Sequence, residues 1–73
     1  MNINKNLGKR IRLLRQARNW SILELALNAD INPNYLGDLE NGRRNPTVKV
    51  LHKISSALHI SLSSLVLNID REE

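Results

Sequence analysis

The chain has 73 residues, 41% of them apolar, with no cysteine and a formal charge of +4 from 11 basic and 7 acidic residues. Such a length holds one small domain, near the size at which a single core just suffices, and the absence of cysteine excludes a disulfide framework or a cysteine-ligated zinc as a supplement. No apolar run reaches bilayer length and MNINKNLGKR lacks the apolar segment of a secretion signal, so a soluble cytoplasmic chain is expected, with no membrane partner.

The charge is segregated. Residues 1–18 hold Lys5, Lys9, Arg10, Arg12, Arg15 and Arg18 with no acid, residues 19–42 hold Glu24, Asp30, Asp38 and Glu40 with no base, and Arg43, Arg44, Lys49 and Lys53 follow. Two readings fit such blocks: solvated helix faces, the commoner meaning of a charge run, or the electrostatic footprint of a nucleic-acid binder.

Leu7, Ile11 and Leu14, with Ala17 on the same side, recur at helical spacing and predict an amphipathic helix over about residues 4–18 with a basic outer face. Ser21 and Glu24 form an S-x-x-E capping box, with Trp20 and Leu25 as its hydrophobic staple, so a second helix begins at Ile22. NADIN ends it. Asn32 caps a third helix that has Pro33 in its first position and Ile31 stapled to Leu36, and that runs to about Asn41. Gly42 sits where a left-handed residue closes a helix, and GRRNPT is a loop ending in the cap Thr47. A fourth helix over 48–58 has Val48, Leu51, Ile54 and Leu58 as its core face, and Ser61 caps a fifth with Ile60 stapled to Leu65. No strand, repeat or linker is suggested, and the tail DREE is expected to fray.

The second and third helices are separated by about three residues, the spacing of a helix-turn-helix unit. LGKRIRLLR, S-x-x-E-L-A at Ser21 to Ala26, YLGDLENG at Tyr35 to Gly42, RRNPT and L-x-K-I-x-x-A-L at Leu51 to Leu58 together resemble the Cro and phage-repressor type helix-turn-helix family, often called the XRE family, over residues 6–67. YLGDLENGRRN and the short length are similar to the controller proteins of restriction-modification systems. The resemblance implies an all-α, five-helix, lambda-repressor-like domain that places its third helix in the major groove of double-stranded DNA, as a homodimer on a palindromic site.

Projected at about 100° per residue, Leu36 and Leu39 of the third helix point inward while Asn34, Gly37, Asp38 and Asn41 gather outward. This helix has no basic side chain, so phosphate contact is expected from its surroundings. Candidates are Arg43 and Arg44 in the loop that family members press against the DNA backbone, Arg10 on the basic first helix, Asn41, and the amides at the starts of the second and third helices beside the caps Ser21 and Asn32. For Asn32 capping is the primary duty. Among base readers, Asn34 can bond adenine in a paired contact, and Asp38 can accept from the cytosine amino group, reject non-cognate sequences or orient Arg43. Tyr35 either touches a phosphate or a thymine methyl, or packs at the edge of the core with its hydroxyl in water. Gly37 lets the backbone approach DNA, relieves crowding against the second helix, or is simply an unoptimised position, since glycine inside a helix costs about 1 kcal/mol relative to alanine. The resemblance also pairs Glu40 with Arg15 as a structural ion pair.

Two departures from the family pattern stand out. Ile22 replaces the glutamine that bonds a phosphate in many members, and Asp30 occupies the usual glycine of the turn, where aspartate tolerates a left-handed conformation. Leu23 and Leu27, one turn apart on the second helix, either mark a surface for a protein partner or are covered by neighbouring helices. Leu62, Val66, Leu67 and Ile69 exceed what a small core needs and are candidates for an isologous dimer contact. No phosphate loop, catalytic cysteine or triad context appears; neither an enzyme nor a cofactor is expected, and His52 and His59 lack partners at metal-ligand spacing. The primary reading is a sequence-specific transcriptional regulator. The alternative is a protein-binding module of the same fold, such as an antitoxin that engages its partner through the second helix, and a membrane-surface role for the basic first helix leaves the caps and the GRRN loop unexplained.

Overall fold

Five helices make up the computed structural model, which describes residues 2–71: α1 (Ile3–Ala17), α2 (Ile22–Ala29), α3 (Pro33–Glu40), α4 (Val48–Ala57) and α5 (Leu62–Leu65). Each starts on a side chain that accepts an otherwise orphaned amide. Asn2 takes the Lys5 amide, Ser21 the Glu24 amide, Thr47 the Val50 amide and Ser61 the Ser64 amide, while Asn32 takes those of both Asn34 and Tyr35. At α2 the capping box is complete, because the Glu24 carboxylate returns a 2.9 Å bond to the Ser21 amide.

The helix ends explain why the connections are so short. Asn19, Asp30, Gly42 and His59 adopt positive φ of 58°, 56°, 75° and 56° after α1, α2, α3 and α4. The next amide then reaches back in a Schellman bond: Trp20 to the Arg15 carbonyl, Ile31 to Ala26, Arg43 to Asp38 and Ile60 to Ser55, at 2.9 to 3.3 Å. Trp20, Ile31 and Ile60 pack half-buried on the core and are followed at once by the caps Ser21, Asn32 and Ser61. One apolar residue thus seals the end of a helix and staples the start of the next. Arg43 holds the same place after α3, but it is charged and exposed, so nothing docks there and the chain departs as the loop 43–47.

The core is formed by Leu7 and Ile11 of α1, Leu25, Ala26 and Ala29 of α2, Leu36 and Leu39 of α3, Ile54 and Ala57 of α4 with Leu58, and Leu65 of α5. α3 packs between α1 and α2, and α4 joins α2 to α5. The C-terminal part is tied down by side chains of α1 and of its C-cap Arg18 donating to carbonyls at helix ends and turns: Asn6 to Ile69 at 2.9 Å, Arg10 to Ser64 at 2.8 Å and Arg18 to Leu58 at 2.9 Å. Arg18 also lies 5.1 Å from the centre of the Trp20 ring, within cation–π range. No helix among the described residues is long and apolar enough to cross a membrane.

Several expectations need correction. Val48 is 68% exposed, because as the first residue of α4 it lies at the edge of the stripe set by Val50, Ile54 and Ala57. Ala17 is exposed, being the last residue of α1 and beyond its packed neighbours. Leu23 and Leu27 are 55% and 72% exposed, so neighbouring helices do not cover them: α3 and α4 pack on the opposite side of α2, where Leu25, Ala26 and Ala29 are buried. Of the tail, Glu72 and Glu73 lie outside the described residues.

Candidate nucleic-acid interface

The position of α3 is set from below by α1. Gly8 lies against the end of α3 so closely that a Cβ there would meet the Leu39 carbonyl oxygen and stand 2.7 Å from the Glu40 carbonyl carbon. One and two turns further along the same face of α1 come Arg12 and Arg15. Arg15, 9% exposed, donates from Nε to Glu40 at 2.7 Å and from Nη2 at 2.9 Å, and its Nη1 reaches the Trp20 carbonyl at 2.8 Å. Arg12 adds a 3.2 Å bond to Glu40 and a 3.1 Å bond to the Asn41 side chain. Glu40 is 2% exposed, and a carboxylate buried to that degree requires such partners. Its hydrogen bonds raise the Arg15 pKa above the ordinary value, against burial and with further help from its charge, so the arginine stays a cation. Gly8 and Arg12 were not singled out from the sequence, although their spacing before Arg15 is that of one helix face.

With Leu36 and Leu39 held in the core at 0% and 1% exposure, the other side of α3 is free. Asn34 is exposed. Gly37 has nothing within 4 Å of where a Cβ would stand, which removes crowding against α2 as its reason. Asp38 does not orient Arg43. Its Oδ2 accepts 3.3 Å bonds from Nε and Nη2 of Arg44, whose guanidinium carbon lies 5.6 Å from the centre of the half-buried Tyr35 ring. Arg43 is exposed just past the helix end, and Asn41, the C-cap, is bonded to the Gly37 carbonyl and to Arg12.

The other candidates are dispersed. Arg10 is turned toward α5, where both Nε and Nη2 bond the Ser64 carbonyl, and is not gathered with the residues around α3. The amides at the start of α3 are not open to a phosphate as expected: Pro33 has none, and those of Asn34 and Tyr35 go to Asn32. At the start of α2 the Ser21 and Glu24 amides are used by the capping box, whereas those of Ile22 and Leu23 enter none of the hydrogen bonds between described residues. Ile22 itself is half-buried against the core. Leu62, Val66 and Ile69 are half-buried against the core, and Leu67 is 55% exposed.

A helix-turn-helix family model, HTH_3, matches residues 11–65. The chain belongs to this helix-turn-helix family. It is similar to the immunity repressor protein of Bacillus phage phi105, with 36% identity over 59 residues, or 81% of this chain and 41% of the repressor, and the chain thus spans under half the length of that relative. It is also similar to control protein C.MunI of Mycoplasma sp, 35% identical over 66 residues that cover 89% of each chain. The crystal structure of the restriction-modification controller protein C.AhdI from Aeromonas hydrophila superposes with a TM-score of 0.83 at 32% identity, covering 85% of this chain and 94% of the controller. The family is one of transcriptional regulators, not of enzymes. In family terms, α2 and α3 are the helix-turn-helix unit, Asp30 supplies its left-handed turn residue with φ 56° and ψ 50°, and Gly8, Arg12, Arg15 and Glu40 seat that unit on α1.

Proposed function

We propose that this chain is a sequence-specific transcriptional regulator that binds a palindromic operator as a homodimer, with α3 of each copy in the major groove. The observation that carries the reading is the two-sidedness of α3: its apolar side is fully buried by α1 and α2, while the Asn34 side is uncovered by the chain and bordered by Arg43 and Arg44. Asn34 reads bases, Arg43 and the free amides at the start of α2 contact phosphates, and Gly37 gives the backbone close access to the groove. Leu67 and the outer edges of Leu62, Val66 and Ile69 form the isologous contact, which sets the two third helices about 34 Å apart.

Selection from random duplexes is expected to return a palindrome, with Asn34→Ala changing the preferred sequence and Arg43→Ala weakening all sequences alike, its salt slope flatter by about 0.9. Sedimentation equilibrium is expected to find a dimer that Leu67→Asp dissociates. Gly37→Ala is expected to stabilise the protein by up to about 1 kcal/mol, because its surroundings are open, while weakening operator binding; unchanged binding in a stabilised variant would remove the close approach. A second reading, a module holding a protein partner on α2, is favoured by the exposure of Leu23 and Leu27. It prevails if selection gives no consensus and Leu27→Asp abolishes binding of a protein that co-purifies.

A further inference from the structure

The bond between Asp38 and Arg44 has a consequence for how α3 meets DNA. Arg44 follows the helix end by several residues, yet its side chain folds back over α3 by one and a half turns, its Nε and Nη2 both 3.3 Å from Asp38 Oδ2 and its guanidinium carbon 5.6 Å from the Tyr35 ring centre. Tyr35 and Asp38 stand three residues apart on α3 and so share one face. The pair is only half-withdrawn from water, with side-chain exposures of 54% for Arg44 and 34% for Asp38. An ion pair so exposed does little for stability; what it does is hold a planar cation over the face of α3 that carries Tyr35 and Asp38.

We infer that Asp38 and Arg44 act as one recognition unit that reads a G·C base pair, with Asp38 as the residue that positions Arg44. This rests on the DNA-binding reading above and deepens it. A guanidinium has five N–H donors, of which the bonds to Asp38 use one on Nε and one on Nη2, leaving both Nη1 donors and the second Nη2 donor. Both bonds end on Oδ2, so Oδ1 remains an acceptor. In the major groove a G·C pair presents the guanine O6 and N7 acceptors beside the cytosine N4 donor, and an arginine meets the first two while a carboxylate meets the third. The unit therefore offers both the donors and the acceptor that one such base pair requires. It is also neutral. Arg44 held in this way adds no phosphate contact, and the carboxylate that would otherwise face the polyanion is cancelled.

The test starts from the site selected by the wild-type protein, with every base pair substituted in turn and binding measured at several salt concentrations. Asp38→Asn is expected to lose a G·C preference of about tenfold or more at one position of each half-site, to keep the preferences elsewhere, and to bind random duplex with a salt slope steeper by about 0.9, as the released Arg44 finds a phosphate. Arg44→Lys, which keeps the charge without the planar fork, is expected to lose the preference at the same position. The inference is overturned if Asp38→Asn leaves both the preferences and the slope unchanged, or if Asp38→Asn and Arg44→Lys affect different positions. If the wild type selects a consensus and Asn34→Ala alters it, such a result sinks this unit alone; if the wild type selects none, the regulator reading falls with it.

Discussion

Glu40→Ala is expected to lower the stability of this protein by about 3–5 kcal/mol, the cost of breaking a buried ion pair from one side, and so to leave little of the folded state in a domain whose total is on the order of 5 kcal/mol. The reason is what the substitution leaves behind. Arg15 is 9% exposed and would keep only its bond to the Trp20 carbonyl, a cation removed from water without its counter-charge. Arg12→Ala removes another bond to the same carboxylate, but its own side chain is 42% exposed, and the expected loss is about 1 kcal/mol or less. Urea unfolding followed by circular dichroism separates the two. Replacing Glu40 and Arg15 together by leucine and methionine is expected to recover much of the loss, because no unpaired charge is then buried. A Glu40→Ala protein that unfolds within about 1 kcal/mol of the wild type would show that the pair is dispensable for seating α3.

Gly8→Ala is expected to destabilise by about 2 kcal/mol or more, although the same exchange in an open helix gains about 1 kcal/mol. The added methyl would meet the Leu39 carbonyl oxygen and stand 2.5 Å from the Glu40 carbonyl oxygen. These are backbone atoms of α3 and cannot rotate aside as a flexible side chain can, so α1 and α3 must separate. Separation also lengthens the bonds from Arg12 and Arg15 to Glu40, and with them the placement of the reading face, so operator binding is expected to fall more than stability alone accounts for. Gly37→Ala, with open space around it, shifts stability in the opposite sense, and thermal unfolding of the two variants side by side measures the contrast. A Gly8→Ala protein as stable as the wild type would mean that the close approach of the two helices is adjustable.

The basic first block illustrates how far a linear reading reaches. Its arginines suggested an electrostatic face for DNA, and the positions are indeed helical and amphipathic. Yet Arg10, Arg12, Arg15 and Arg18 are each bonded to a carbonyl or to Glu40 across the tertiary structure. Periodicity tells which way a side chain leaves its helix; it does not tell what acceptor waits there. The same limit applies to Asp38, whose outward direction was legible while its partner was not: Arg43 is nearer in sequence, but the Schellman turn at Gly42 sends Arg43 outward and returns Arg44.

Local sequence by itself determined where the helices begin and end, how tightly α2 joins α3, and which side of α3 remains free, because caps, left-handed residues and staples act between groups a few positions apart. Only the tertiary structure decided which charges are structural, that Gly8 must lack a side chain, that Val48, Leu23 and Leu27 stay in water, and that Arg44 folds back onto Asp38. Those outcomes depend on the approach of segments distant along the chain, and the energy of a buried charge or a backbone contact is defined only once that approach has occurred.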